Sequence, residues 1–282
     1  MFILADSGST KTTWSIVDKH GHIIEKETIG LNPLHVNKEL ISNTVFHVTK
    51  DIPYHEIQYI HFYGAGCASK EMQKLVQLAI KDVINNNNIF VDSDIYAAAH
   101  ALLQNQEGWI AILGTGSNLA YYDGKTILKH TPSLGYILGD EGSGSYLGKE
   151  LLKLYAYKKI DKELCNEFEK FLNLSLNEIL VEIYHKPNAN RYLANFTYFI
   201  KKHRQHPDIQ TLLNNAFELF LKTHLEPFID KYSQNIAFCG SVASIFKEEL
   251  IQACQFYHLN IQAIESSPMK KLIRYHLNNK RI

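Results

Sequence analysis

An α/β fold built from two related domains is what this sequence predicts, and three observations carry the prediction. Short apolar strands alternate with amphipathic helices along most of the chain. Two hairpins turn on runs of small residues, DSGSTKT near the start and GTGSN after Trp109. Each hairpin opens a new series of strands and helices, so the second half repeats the logic of the first.

Phe2 to Ala5 is an apolar run, and beyond the small polar loop TTWSIVD and HIIEKETI alternate with a period of two, which predicts a strand hairpin. NKELISNTVFHVTKD has helical spacing, IQYIHFYGAG is a strand ending in a glycine-rich turn, and SKEMQKLVQLAIKDVI is an amphipathic helix. The polar NNNN run leads into a short strand, NIFVD, followed by a helix, DIYAAAHALL. From Trp109, WIAILGTGSNLAYYDGKTILKH reads as strand, glycine-rich turn, strand, Asp-Gly turn and strand. The region from about 145 to 232 is mostly helical; NIAFCG and NIQAI are strands separated by the helix SIFKEELIQACQFY, and a last helix starts at Pro268. The expected domains are 1–107, completed by the helix 268–282, and 108–267 with a helical insertion.

With 282 residues and 45% hydrophobic content the chain can bury a sizeable core, which excludes a disordered or fibrous protein. Lys plus Arg equals Asp plus Glu at 29 each, so no global field favours nucleic acid or an anionic membrane. The four cysteines, Cys67, Cys165, Cys239 and Cys254, form no C-x-x-C pair, which argues against a disulfide framework or a zinc site. Asp6 interrupts the first apolar run and no later stretch stays apolar for about 18 residues, so a cytoplasmic, soluble protein is expected.

Gly8-Ser9-Thr10-Lys11-Thr12 looks at first like a Walker loop, yet only one glycine precedes the lysine and the loop lies between two strands rather than between strand and helix. Small side chains, hydroxyls and backbone amides in such a turn suit phosphate oxygens. Asp6, where the strand ends, is placed to serve a magnesium ion through water. Gly114-Thr115-Gly116-Ser117-Asn118 offers the same backbone donors from a second hairpin. Either could be an ordinary tight turn; two of them, each opening a domain, favour a bound nucleotide. In VDSD, both Asp92 and Asp94 compete for a catalytic role, and without other information the segment reads as a helix cap.

The order DSGSTKT, VDSD, ILGTGSN, GDEGSG, FCGSVA resembles the actin, heat-shock chaperone and sugar kinase superfamily, and within it the N-acetylglucosamine kinase branch of the BadF/BadG/BcrA/BcrD group. That resemblance implies two ribonuclease H-like (actin-like ATPase) domains with a nucleotide cleft between them, ATP and Mg2+ as cofactors, and phosphorylation of an amino sugar's 6-hydroxyl. It implies Asp94 as the catalytic residue and Asp6 as the magnesium-associated carboxylate. Gly8, Ser9, Thr10, Lys11 and Thr12, with Gly114, Thr115, Gly116 and Ser117, correspond to the phosphate loops; Gly240 and Ser241 correspond to the adenosine segment. Asn32, Asp94, Thr115, Gly135 and Asp140 correspond to sugar contacts, although Leu134-Gly135 stands where relatives place an aromatic-glycine pair. Lys11 is more often peripheral in this superfamily.

The implied partners are ATP and a small amino sugar such as N-acetylglucosamine, N-acetylmuramic acid or glucosamine, with no nucleic acid, no membrane, and a homodimer as one option. Alternatives from other classes are a BadF-type ATPase that activates a partner enzyme through a shared iron-sulfur cluster, and a non-catalytic sugar sensor. Scattered histidines such as His20, His22 and His61 read as surface or packing residues, the aromatics between Tyr155 and Phe228 as core, and the tail KKLIRYHLNNKRI as a solvated helix.

Overall fold

The computed structural model describes residues 1–279. It divides into two compact units, Met1–Gln104 with the stretch from Pro268, and Asn105–Ser267. Each unit is built on one five-stranded mixed sheet.

In the first unit the strands are β1 (Phe2–Ser7), β2 (Lys11–Val17), β3 (Ile23–Ile29), β4 (Tyr59–Gly64) and β5 (Ile89–Ser93), in the order β3-β2-β1-β4-β5. The first three form an antiparallel meander, and β4 and β5 add in parallel through helical crossovers. Helices α1 (Lys38–Thr49) and α2 (Lys70–Lys81) are capped by Asn37 and Ser69, whose side chains accept the Leu40 and Met72 amides. Helix α3 (Asp94–Leu102) follows β5 directly.

Both faces of β1 are buried, so Phe2 to Ala5 are all apolar rather than alternating with polar residues. Ile3 and Ala5 enter a core with Trp14, Ile41, Val45 and Ile80. Phe2 and Leu4 face the opposite core, with Tyr59, Tyr63 and Ala97, beneath the C-terminal helix Met269–Asn278. By the two-residue period Asp6 continues the Phe2 and Leu4 side, the side that α3 covers. The C-terminal helix is solvated on one side only, because Met269, Leu272, Ile273 and His276 are buried. Lys280–Ile282 of the tail lie outside the described residues.

The second unit repeats the arrangement with β6 (Glu107–Leu113), β7 (Ser117–Asp123), β8 (Ile127–His130), β9 (Asn235–Cys239) and β10 (Asn260–Glu265), ordered β10-β9-β6-β7-β8. The two sheet orders superimpose strand for strand, β1 on β6 and β4 on β9, with the same senses of pairing. A short helix the periodicity does not reveal, α4 (Gly135–Leu138), precedes α5 (Gly144–Ala156), which Ser143 caps.

The helical region comprises α6 (Lys162–Leu172), α7 (Leu176–Tyr184), α8 (Ala189–Ala194), α9 (Thr197–Lys202) and α10 (Pro207–His224). Phe168, Phe196, Phe199, Phe217 and Phe220 form its core, as their helical spacing predicts, whereas Tyr157, Tyr184 and Tyr198 are exposed. The segment SIFKEELIQACQFY is not one helix: the backbone breaks at Phe246 between α11 (Ser241–Ile245) and α12 (Lys247–Phe256).

Candidate functional site

Parallel pairing of β1, β4 and β5 brings their C-terminal ends together, and Asp6 and Asp94 stand at that edge. Asp94 is the first residue of α3, after Ser93 at the cap. Burial pushes the Asp6 carboxyl up to about 7, with the Asp94 charge adding to the rise and Lys11 opposing it. Burial also raises Asp94 to about 6, against the amides of Ile95 and Asp94 itself, which favour the ionised form. Asp94 thus uses the helix N-terminus as a cap does while remaining a poised carboxyl near neutrality.

Beside Asp6 the β1–β2 hairpin turns through Gly8, Ser9 and Thr10. The Gly8 amide donates to the Lys11 carbonyl at 2.9 Å, and the Gly30 amide donates to the Thr10 carbonyl at 3.0 Å. Thr12 is fully buried, and its hydroxyl donates to the Ile29 carbonyl at 2.9 Å and lies 2.8 Å from the Ser7 hydroxyl. The Ser7 oxygen in turn accepts the Leu31 amide at 3.0 Å. Thr12 therefore braces the loop from behind, and Ser9 and Thr10 form its outward tip. Lys11 pairs with Glu27 across β2 and β3 at 2.8 Å, both side chains being well exposed.

Asn32 is buried next to the same loop. Its Nδ2 donates to the Ser9 hydroxyl at 3.3 Å, and its Oδ1 accepts the Leu34 amide at 3.0 Å. Gly30 is a residue that motif reading overlooks here. Its role becomes visible only when β3 returns beside the loop.

In the second unit GTGSN joins β6 to β7. The Gly114 amide donates to the Gly116 carbonyl at 3.0 Å, and the first amides of α5 brace the loop from outside: Gly144 donates to the Gly114 carbonyl at 2.8 Å and Ser145 to that of Thr115 at 3.0 Å. The Ser117 amide donates to Asp140 Oδ1 at 3.3 Å. A Cβ on Gly116 would sit 2.9 Å from Asp140 Oδ2, so only glycine lets that carboxylate lie against the loop. Asp140 adopts a left-handed backbone with φ of 59°. Its pKa is raised mainly by burial, against the Ser117 hydrogen bond, with Glu141 adding to the rise.

Gly240, with φ of +121°, packs on the back of this loop, where a Cβ would fall 2.2 Å from the Leu113 carbonyl oxygen. Its amide donates to the Glu265 carbonyl at 2.8 Å, and exposed Ser241 starts α11. The motifs GTGSN, GDEGSG and CGS, far apart in sequence, are thus neighbours in this unit. Gly135 opens α4 with φ of +73° among the exposed side chains of Leu134, Ile137 and Leu138. Glu141 does not cap α5; it pairs with His224 of α10 at 3.0 Å.

Two further predictions are refined. His20 and His22 are on the surface, but His61 is buried and bonded to Asp92, with Nε2 2.7 Å from Oδ2. Cys67, Cys239 and Cys254 are buried and not disulfide-bonded, and burial pushes Cys67 and Cys254 up to about 12, which suits packing rather than ligation. Among the described residues no cluster of three or more His, Cys, Asp or Glu could hold a metal ion, and no helix is long and apolar enough to cross a membrane.

A crystal structure from Porphyromonas gingivalis, which carries the provisional name N-acetylglucosamine kinase, is 33% identical to this chain. The likeness covers 99% of this chain and 100% of that one, with a TM-score of 0.92.

The chain belongs to the N-acetylglucosamine kinase-like family of the actin-like ATPase superfamily.

A similarly named structure from Chromobacterium violaceum shares the fold with a TM-score of 0.69 at 17% identity, covering 97% of this chain and 98% of that one. The N-acetylmuramic acid/N-acetylglucosamine kinase of Clostridium acetobutylicum is 28% identical over 166 residues, 56% of this chain. That match spans about half the length of the curated relative, 54% of it. No family model matches the chain. The family membership agrees with the resemblance carried by DSGSTKT, VDSD, GTGSN and GDEGSG, and the twin sheets are the fold it implies.

Proposed function

We propose that the protein is an ATP-dependent kinase that phosphorylates the 6-hydroxyl of N-acetylglucosamine or a closely related amino sugar such as N-acetylmuramic acid. The observation that carries this reading is the convergence of Asp6 and Asp94 at one strand edge, beside a hairpin of phosphate-binding type. An alcohol attacking a phosphoryl group needs little covalent help. It needs alignment, a proton acceptor and a home for developing charge.

Asp94 is the proposed base. Its carboxylate accepts the proton of the sugar hydroxyl as the oxygen attacks, and a pKa raised to about 6 leaves it ionised at neutral pH yet basic enough to help. Asp140, held by the Ser117 amide, is proposed to accept hydrogen bonds from sugar hydroxyls, with Asn32, Thr115 and Gly135 as further sugar contacts. The hairpin amides from Gly8 to Thr12 and those of Gly114 to Ser117 are each proposed as a phosphate cradle, and Gly240 with Ser241 as the adenosine segment.

The donor set fits magnesium. Asp6 and Asp94 bring two desolvated carboxyls whose repulsion a divalent cation would relieve, and with carboxylates as its protein donors the ion would keep waters and phosphate oxygens, as Mg2+ does. Asp6 would hold it through water, and when bound it would offset the charge of the transferring phosphoryl group.

The deciding experiment is a coupled ADP-release assay with N-acetylglucosamine, N-acetylmuramic acid, glucosamine and glucose. Release dependent on an N-acetylated sugar supports the reading, and its absence with all four refutes it. Asp94→Asn should keep ATP and sugar binding while losing most turnover; near-normal turnover would remove Asp94 from its role.

A further inference from the structure

The junction from β5 into α3, which aims Asp94, lacks the usual fastening, because Ser93 at the helix cap makes no side-chain capping bond. Its support comes from β4 instead. On the upstream side, Asp92 Oδ2 lies 2.7 Å from His61 Nε2, a length typical of a charge-assisted hydrogen bond. The His61 side chain is 1% exposed. Its ring stacks on Tyr63 at 4.0 Å and 10°, and meets the His276 ring edge-on at 5.3 Å.

On the downstream side, along α3, His100 Nδ1 lies 3.1 Å from the Tyr63 hydroxyl, which is also 2.9 Å from His276 Nε2. Tyr63 is therefore the common post for both sides of Asp94. Packing alone does not call for a histidine at position 61, since the neighbouring positions on the same face of β4, Tyr59 and Tyr63, are filled by aromatic rings. The imidazole supplies what those rings lack there, a nitrogen for Asp92.

We propose that His61 is a positioning residue that acts through Asp92: its hydrogen bond holds Asp92 and the β5–α3 junction so that Asp94 alone is presented to the acceptor hydroxyl. This rests on the reading of Asp94 as the base. Asp92, the competitor of Asp94 in the VDSD motif, is thereby a support and not a second base.

The test compares His61→Leu, which deletes the bond, with His61→Gln, which retains a side-chain N–H able to reach toward Asp92. Asp92→Ala deletes the same bond from a side chain that is 34% exposed, without opening the core. His61→Leu and Asp92→Ala should lower kcat by about 100-fold with KM for ATP and sugar little changed, as expected when a reacting group is misaimed. His61→Gln should recover most of kcat. Hydrogen exchange of the amides from Asp94 to Ala97 should quicken in the two deletion variants and stay near wild type in His61→Gln.

A kcat that stays at the wild-type value in His61→Leu and Asp92→Ala, with only the thermal midpoint lowered, overturns the proposal. So does equal loss in His61→Gln and His61→Leu. If the wild-type protein releases no ADP with any sugar, the kinase reading falls, and the exchange pattern by itself decides whether His61 and Asp92 hold the junction.

Discussion

Replacing Asp6 with asparagine should make the protein more stable while removing its activity. The Asp6 carboxyl is pushed from 3.8 up to about 7 by burial and by the Asp94 charge, against the pull of Lys11. A raised carboxyl holds its proton more tightly in the folded chain than in the unfolded one, so stability falls as pH rises from 3.8 to about 7, and the penalty is complete above that. At about 1.4 kcal/mol per pH unit across that window the penalty approaches about 4 kcal/mol. Asp6 retains some exposure, so the gain expected from removing its charge is about 2–4 kcal/mol at pH ~8.

Asparagine keeps the shape and deletes the charge. Thermal unfolding without nucleotide or magnesium should show a midpoint several degrees above wild type at pH ~8, shrinking toward zero near pH ~4. The same variant should lose most phosphoryl transfer, the exchange of stability for function expected where like charges are held together. A variant no more stable than wild type at pH ~8, or equally stabilised at pH ~4, would refute the electrostatic account of this pair.

Gly116→Ala should weaken sugar binding more than folding, because its Cβ would press on Asp140 Oδ2 from 2.9 Å; the check is a raised sugar KM with a thermal midpoint within about 2 °C of wild type. Arg204→Met should destabilise the second unit by about 3 kcal/mol, since Glu249, 4% exposed, would lose Nε and Nη2 donors at 2.7 Å; urea unfolding reads this. Burial would raise Glu249, but Arg204 and Gln210 hold it below 4.5, so that contribution is present above pH 4.5 and is lost as pH falls through the depressed value. The wild-type advantage over Arg204→Met should shrink on acidification. Phe217→Ala should cost about 3–5 kcal/mol, from a fully buried ring in the helical core, measured by the same unfolding.

The strands and helices of both units were legible because their patterns are local. The two-residue period of TTWSIVD, the helical period of SKEMQKLVQLAIKDVI, and serine or asparagine before a helix each act within one turn or one strand pair. The break at Phe246 was not legible, since nothing in SIFKEELIQACQFY forbids a continuous helix and the backbone there bends within the packed unit. α4 is only four residues long, too short to set up a period.

The candidate site divides in the same way. Its small-residue loops and acidic residues stand out along the chain because the phosphate and magnesium chemistry proposed for them restricts which residues can serve, and such restrictions read as short motifs in DSGSTKT, VDSD, GTGSN and GDEGSG. Which side chain does what within a motif is a matter of neighbours. Thr12 is turned inward by Ile29 and Ser7, Asp92 is taken up by His61 from the adjacent strand, and Glu141 by His224 from a helix far along the chain. Hydrogen bonds of that kind depend on strand register and helix docking, which hydrophobic burial over the whole unit sets. The sequence by itself therefore determined which reactive groups this protein carries, and tertiary packing decided which of the two carboxylates in VDSD is engaged by His61.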